Sequence, residues 1–245
     1  MGRMGSRATA APGSSPAPGT SPAPGTSQKP PTLLRAFFAR PTVEVATALV
    51  GSRLICDPGT AREVRAVIVE VEAYLGAADP ASHAHRGPTP RAAIMFGPPG
   101  HLYVYLSYGI HFCANVVCEP EGQAGAVLLR GAVLEAGEEV VRGRRGRGGR
   151  RPAFASLLSG PGNLGAGLGL ILADNGLDLC DPGSRLRLLG RETQVPLAVA
   201  PRVGITRAAD RPLRFAWAGH PAVSRPRGLT ASNSGATSPG ASMAG

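Results

Sequence analysis

The sequence predicts a mixed α/β fold, a single domain with a curved, largely antiparallel β-sheet and one protruding β-hairpin. Short Val- and Ile-rich runs outnumber the helical patterns and do not alternate strictly with them, as a parallel sheet would require. Two of these runs are joined by a tight turn. The 245 residues are 43% hydrophobic, which suffices for one buried core. No window approaches 18 consecutive apolar residues, so we expect no membrane-spanning helix.

The two ends of the chain differ in composition from its middle. Residues 1–31 are mostly Ala, Pro, Gly, Ser and Thr and contain a repeated SPAPGT unit, and residues 226–245 have the same character. Such segments bury too little apolar surface to offset the entropy lost on ordering. We therefore predict disordered tails at both ends and one folded domain over residues 32–225.

Within this domain the elements follow from local patterns. The segment Pro41–Val50 has the Pro-Thr start of a helix, and a strand is expected over Ser52–Cys56. Val64–Tyr74 is the clearest strand, and residues 101–118 form two strands about a turn at Ser107-Tyr108-Gly109. Later strands are expected at residues 125–134, 185–190 and 212–218, and a glycine-interrupted helix begins within residues 158–170.

Charge is strongly unbalanced, with 26 Lys and Arg against 16 Asp and Glu. A basic protein of this size favours a polyanionic partner, most often nucleic acid. A GC-rich coding sequence, which favours Arg, Gly, Ala and Pro, explains the same composition. Composition alone leaves both interpretations open.

Alternation along the strand from Val64 indicates a first candidate site. Strict alternation places Val67, Val69, Val71 and Ala73 on a core face. Its other face then carries Ile68, Glu70, Glu72 and Tyr74. Two acids and a tyrosine on one face need solvent, partners or a pocket, and a structural pair of surface acids is the competing interpretation.

The placement of the tyrosines indicates the same region. All four, Tyr74, Tyr103, Tyr105 and Tyr108, lie within 35 residues of one another. Tyr103 and Tyr105 share one face of the hairpin strand, where they could also be core residues. Tyr108 lies at the exposed tip, a position suited to a side chain that wedges between base pairs from the minor groove.

Six arginines lie between Arg142 and Arg151 in the run RGRRGRGGRR. The glycines argue against a fixed helix, so we expect a flexible basic loop. Such a loop either contacts phosphates without sequence preference or is simply solvated. The arginines expected to make these weak contacts are Arg142, Arg144, Arg145 and Arg147.

Cysteine and histidine spacing gives no indication of a metal site. Cys56, Cys113, Cys118 and Cys180 show no CxxC spacing, and His83 and His85 lack a third ligand at suitable spacing. The glycines of SGPGNLGAGLG do not match a dinucleotide fingerprint. We expect no metal, no cofactor and an intracellular location with DNA, with an organelle transit peptide left open because the N-terminus bears Arg and Ser without acids.

These residues resemble the alkyladenine (3-methyladenine) DNA glycosylase family. The resemblance rests on EAY ending at Tyr74, a histidine nine residues later, YVYLSYG, LLR ending at Arg130, LSGPGNL, and the late RVGIT and RPLRF. It covers roughly Leu33 to Ser224. The combination is specific, whereas the Arg-rich run and both tails have no firm counterpart in the family.

The resemblance implies a role for each matching position. Glu72 corresponds to the general base that activates the attacking water, with Arg130 and the backbone carbonyl of Val203 helping to hold that water. The walls of the pocket for the flipped base correspond to Tyr74, His83 and Tyr105. Asn115 corresponds to the residue that crowds the guanine 2-amino group. Tyr108 corresponds to the intercalating residue, which the hairpin carries into the minor groove.

The function implied is excision of alkylated purines (3-methyladenine, 7-methylguanine and, as an open question, hypoxanthine) from duplex DNA, by a monomer that leaves an abasic site. Nicking the strand as well requires an amine nucleophile, and Lys29, the only lysine, lies at the edge of a predicted tail. We therefore predict a monofunctional enzyme. A catalytically silent binder of damaged DNA and a generic RNA-binding module are the alternatives, and the second lacks any RNP- or KH-like motif.

Overall fold

The fold was analysed in a computed structural model that describes residues 1–2, 31–146, 151–224 and 230–231. Most residues of the two predicted tails therefore lie outside the described residues, as does Arg147 of the basic run. The tail residues that the structure describes are Met1, Gly2, Pro31, Thr230 and Ala231. Thr230 and Ala231, which fall within the predicted C-terminal tail, form a short strand. None of the helices in the described ranges combines the length and the apolar character needed to cross a bilayer.

The described residues form a mixed α/β domain with few helices around one curled antiparallel sheet, which confirms the predicted fold class. The α-helices are α1 (Arg35–Phe38), α2 (Thr42–Leu49), α3 (Glu138–Arg145) and α4 (Pro161–Leu168). The first five strands are β1 (Arg53–Cys56), β2 (Val64–Tyr74), β3 (Leu102–Ser107), β4 (His111–Cys118) and β5 (Gly125–Ala136). The remaining strands are β6 (Leu186–Leu189), β7 (Leu197–Ala200), β8 (Arg214–Trp217) and β9 (Thr230–Ala231). Short 3₁₀ helices span Gly76–Ala78, Ala93–Phe96, Phe154–Ser156 and Leu172–Asp174.

The strand order is β3-β4-β5-β2-β8-β7-β9, and every pairing is antiparallel. β2 is the central strand. One of its edges pairs with β5 along most of its length, and the other pairs first with β1 and then with β8. β1 also pairs with β6. Residues near the end of β2 are thus held from both sides, which makes this a rigid place for functional side chains.

Alternation divides the sheet into two faces. Leu102 and Val104 of β3, together with Val71 and Ala73 of β2, belong to the main hydrophobic core, which also includes residues of α1, α2 and α4. Their neighbours along the strands project to the opposite face, where Tyr103 packs with Met95 in a smaller cluster. This second face carries the tyrosines and the carboxylates that the sequence singles out.

The predicted faces of β2 are wrong before Glu70. Ile68 lies in the main core, whereas Val69 packs on the opposite face with Ala216 and Ala222. The reason lies in two of the three irregularities between the central strands: β2 has one extra residue at Val69, and β5 has one extra residue at Arg130. Each inserted residue reverses the alternation of its own strand, and strict period-2 reasoning does not anticipate it.

The predicted flexible loop over residues 142–151 is wrong for residues 142–145, which form the second half of α3. Two glutamates in its first turn and three arginines in its last turn complement the helix dipole, and Val141 buries its side chain. These contributions offset the cost of Gly143, about 1 kcal/mol relative to alanine. Strand β7 was not predicted, because its four residues include one β-branched residue, Val199, and lie between two prolines.

Candidate active site

Glu72 is the charged residue at the inner end of the candidate site. Its side chain is fully buried, and its carboxylate has three protein partners. Oε1 accepts a hydrogen bond from the Val203 backbone N–H at 2.8 Å and lies 3.3 Å from Nη1 of Arg130. Oε2 accepts the Tyr74 hydroxyl at 2.9 Å. Because Oε2 has no other partner in the described hydrogen bonds, it retains a lone pair that a water molecule can use.

The environment of Glu72 contains opposing electrostatic influences. Burial raises the pKa of the carboxyl, whereas the Arg130 cation and the two hydrogen bonds from Val203 and Tyr74 act in the opposite direction. The same arrangement raises the pKa of the Tyr74 hydroxyl, through burial and through the adjacent carboxylate. Tyr74 therefore remains a neutral donor, and Glu72 has an elevated affinity for a proton, as a general base requires.

Aromatic walls surround a cavity of about 460 Å³ in front of this carboxylate. His83 and Tyr105 contact each other edge to face, with ring centroids 4.7 Å apart. The His83 ring is also hydrogen-bonded through Nδ1 to the Tyr103 hydroxyl at 2.9 Å. Burial lowers the pKa of His83 to about 4, with a smaller effect from the Arg91 cation. Its imidazole is therefore neutral near pH 7.

Asn115 and Tyr108 also line this cavity. Asn115 is buried on β4 and donates from Nδ2 to the Tyr103 backbone carbonyl at 3.1 Å. Tyr108 is 86% exposed at the tip of the β3–β4 hairpin, as predicted. Its φ of +50° is uncommon for a bulky side chain, and Gly109 follows at +70°. Two successive positive φ angles define the tight turn, closed by a hydrogen bond from the Ile110 N–H to the Ser107 carbonyl.

The structure brings together eight of the sequence-predicted site residues, which all line the one cavity. They are Glu72, Tyr74, His83, Tyr105, Tyr108, Asn115, Arg130 and Val203. Val203 contacts Glu72 through its backbone N–H, whereas the family resemblance implies a role for its carbonyl. Among the described residues no group of three or more His, Cys, Asp or Glu could hold a metal ion.

The arginines of α3 lie apart from the cavity and are engaged within the protein. Arg142 pairs with Glu138 at 2.6 Å, and Arg144 pairs with Asp57 at 2.8 Å. Arg145 donates to the carbonyls of Ser156 and Leu157 and to the Asn163 side chain. Their guanidinium groups stabilise the packing of α3, so these contacts give no support to the predicted phosphate contacts.

Sequence reasoning missed the residues that support the walls. Arg202 is buried, with its guanidinium 4.5 Å from the centre of the Tyr74 ring, and it pairs with buried Asp79 through both terminal nitrogens. Arg91 lies 4.8 Å from the centre of the Tyr105 ring. One signal was available: Asp79 is the only acid between Tyr74 and Cys118, and a lone acid in such a run needs a partner.

Comparison with known proteins gives matches to one described family. The family model described as Methylpurine-DNA glycosylase matches residues 36–221. A protein of Mycobacterium sp. (strain KMS) named "Putative 3-methyladenine DNA glycosylase" is 50% identical over 184 residues, which cover 73% of this chain and 86% of the relative. Proteins of the same name from Mycolicibacterium paratuberculosis and Mycobacterium tuberculosis (strain H37Rv) are also 50% identical, over 74% and 70% of this chain and 87% and 85% of their own lengths.

The chain is thus a DNA repair enzyme that hydrolyses N-glycosyl bonds. The chain belongs to the methylpurine-DNA glycosylase family, also called alkyladenine DNA glycosylases. This confirms the family, the enzyme class and the DNA substrate that the sequence indicates.

Proposed function

We propose that the protein everts an alkylated purine from duplex DNA into this cavity and hydrolyses its N-glycosidic bond with a water activated by Glu72. The observation that carries the proposal is the convergence of the eight residues predicted for catalysis, the base pocket and intercalation, from five separate parts of the chain, on one cavity with a buried carboxylate at its inner end. A base within a duplex hides its glycosidic bond, so the nucleotide must leave the stack before water can attack.

The chemical step needs only groups that the cavity supplies. The oxygen of the water bonds to C1′ of the deoxyribose as the bond from C1′ to the purine nitrogen breaks, and that electron pair leaves with the base. Glu72 accepts the proton of the water, and the products are a free base and an abasic site. Positive charge that develops on the sugar is stabilised by the carboxylate, whose effect is strengthened by its exclusion from bulk water.

The cavity favours a leaving group that is already cationic. An alkylated purine such as 3-methyladenine or 7-methylguanine departs as a neutral base and needs no proton. Hypoxanthine needs a proton donor, and His83 is neutral because burial lowers its pKa to about 4. Tyr74 and Tyr105 also present electron-rich faces that bind a cationic ring more strongly than a neutral one. We therefore propose that cationic lesions are the preferred substrates.

The remaining cavity residues fit recognition. Asn115 is fixed by its bond to the Tyr103 carbonyl and cannot move away from an added amino group, which disfavours guanine. Tyr108 fills the space left in the duplex after its hairpin enters the minor groove. Stacking of one base on an aromatic side chain contributes about 1–3 kcal/mol, which offsets part of the cost of eversion.

The same proposal defines the reaction's outcome and the active unit. Water is the nucleophile, so the DNA strand stays intact at the abasic site; Lys29, the only side-chain amine, lies outside the described residues. Residues 32–225 form the catalytic unit, which acts as a monomer wherever the cell keeps its DNA.

A panel of duplexes, each with one lesion, tests the proposal. Duplexes containing 7-methylguanine, 3-methyladenine or hypoxanthine are incubated with the full chain, and free base and strand breaks are measured separately. We expect base release from the two alkylated duplexes, slower release of hypoxanthine, and strand breaks only after alkali. Binding without base release would contradict the proposal and favour a silent binder, and breaks without alkali would contradict the monofunctional mechanism.

A further inference from the structure

The exposed arginines of the protein differ in whether they have an acidic partner. Six arginines of the described residues are exposed, and two of them, Arg65 and Arg151, form ion pairs with glutamates. The other four have no ion pair in the part of the chain that the structure describes. These four are Arg62, Arg86, Arg91 and Arg207.

Three of these four arginines belong to the two loops that border the cavity. The loop between β2 and β3 contributes His83 and Arg91 to the cavity lining, and the loop before β8 contributes Val203 and Ile205. Arg86 is three residues from His83, and Arg207 is two residues from Ile205. At 3.8 Å per residue their Cα atoms lie within about 12 Å and about 8 Å of those cavity residues.

The acids of this region do not neutralise these cations. Asp79 is the only acid between Tyr74 and Cys118, and it is buried against Arg202. Asp210 in the second loop is exposed and has no ion pair to Arg207 in the described structure. The Arg91 guanidinium lies 4.8 Å from the centre of the Tyr105 ring, a contact that orients it at the cavity without removing its charge.

We propose that Arg86, Arg91 and Arg207 form the phosphodiester-binding rim of the cavity, which holds the DNA backbone around the everted nucleotide. The inference rests on the proposed function only in naming DNA as the polyanion. Guanidinium groups bind phosphate oxygens in a bidentate manner, and unpaired surface cations do so without first breaking an internal ion pair. The rim thus replaces the arginines of α3 as the basic surface that contacts DNA.

The salt dependence of binding to an undamaged duplex measures the number of phosphate contacts directly. Each contact contributes about 0.9 to the slope of log K against log salt concentration for duplex DNA. We expect the slope to fall by about 0.9 for each of Arg86→Ala, Arg91→Ala and Arg207→Ala, and by about 2.7 for the triple variant. The triple Lys variant keeps the charges and should recover most of the slope.

Arg62→Ala is the matched control. Like the three rim arginines, Arg62 is exposed and has no ion pair among the described residues. It precedes β2, whereas the cavity residue Tyr74 ends that strand. At about 3.3 Å per residue, the two ends of β2 are roughly 30 Å apart. We expect this variant to bind like the wild type. An unchanged slope in the triple Ala variant, or an equal decrease with Arg62→Ala, would overturn the proposal.

The two proposals fail in different ways. Binding to undamaged duplex needs no base release, so a reduced slope together with no excision would support the rim and refute the proposed function. If the wild type excises the base but the triple variant has the same slope as the wild type, only the proposal of the rim is refuted. Single-stranded RNA of equal length serves as a second ligand, and preferential RNA binding through the same arginines would contradict DNA as the partner.

Discussion

Glu70 and Glu72 lie two residues apart on the same face of β2, yet they occupy different regions of the molecule. Both are fully buried, and both contact Arg130. Glu70 is also bonded to Arg214 at 3.1 Å and to the backbone and hydroxyl of Ser224, away from the cavity. Glu72 has one cationic partner and lines the cavity. A carboxylate surrounded by cations stabilises structure, whereas one that faces a cavity is available for chemistry.

Loss of the cavity carboxylate should have the largest effect on activity. Glu72→Gln removes the proton acceptor but keeps the shape of the side chain. We expect the single-turnover excision rate to fall about 10²–10⁴-fold, the usual contribution of a general base, while duplex binding persists. Quench-flow or manual time courses at saturating protein measure this rate. A decrease below about tenfold would remove Glu72 from the role of base.

Loss of the other carboxylate should instead reduce stability. Glu70→Gln leaves the buried cations Arg130 and Arg214 without their shared counter-ion, and breaking a buried pair costs about 3–5 kcal/mol. We expect the free energy of unfolding in urea to fall by that amount, whereas Glu72→Gln should change it much less. Equal destabilisation by both substitutions would show that the two carboxylates do not differ in the way proposed.

The pH dependence of the free energy of unfolding should reveal the raised pKa of Glu72. Because its pKa in the folded protein is raised, the folded state holds the proton more tightly than the unfolded state. Stability from this group is therefore fully present below the unfolded value, about 4.3, and is lost as pH rises through the folded pKa. As the pH increases through the folded pKa of Glu72, the free energy of unfolding of wild type should fall relative to that of Glu72→Gln. Urea titrations at successive pH values measure this difference. The excision rate of wild type should increase over the same pH range. A difference that is flat with pH would contradict the raised pKa.

The hairpin tip should contribute less than the base. Tyr108→Ala removes a side chain that we expect to stack within the duplex, a contribution of about 1–3 kcal/mol, so excision from duplex DNA should slow about tenfold or more. Tyr108→Phe, which keeps the ring, is the control and should excise like wild type. Rates measured on single-stranded substrate should not depend on Tyr108. Equal losses on both substrates would argue against a wedge.

Substitution of His83 should not change the shape of the pH profile of the excision rate above pH 5. Its pKa of about 4 keeps the ring neutral there, so His83→Gln should show the same pH dependence at a different absolute rate. Stability behaves otherwise: the folded pKa is depressed from 6.5 to about 4, so wild type should lose stability relative to His83→Gln as pH falls through this interval. A new step in the excision profile near pH 6.5 would show a charged His83.

The sequence predicted most of the fold, because the strongest local patterns coincide with the elements formed. β2 spans Val64–Tyr74 and the hairpin turns at Tyr108, both as predicted. The convergence of Glu72, Arg130 and Val203 depends on contacts between distant segments, which the family resemblance supplied and local patterns could not. The difference between Glu70 and Glu72 was not visible either, since alternation assigns both to one face.

The errors have a common physical origin in interactions that act at long range. The Arg-rich run looked flexible because its glycines were counted and its partners were not: Asp57 and the carbonyls near Ser156 bind its guanidinium groups. The faces of β2 before Glu70 were misassigned because an inserted residue has no signature in an apolar run of Val and Ile. Arg202 and Asp79 were overlooked because only the fold brings them together.

The inserted residues Val69 and Arg130 lie opposite each other and cancel: residues on either side of them pair in the same register, Ile68 with Ala132 and Val71 with Leu129. Deleting either residue alone would shift the pairing of β2 with β5 by one position and leave Glu72 opposite another neighbour than Leu128. Deleting both together would keep the register, so the position of Glu72 depends on a length balance between two strands as well as on side-chain identity.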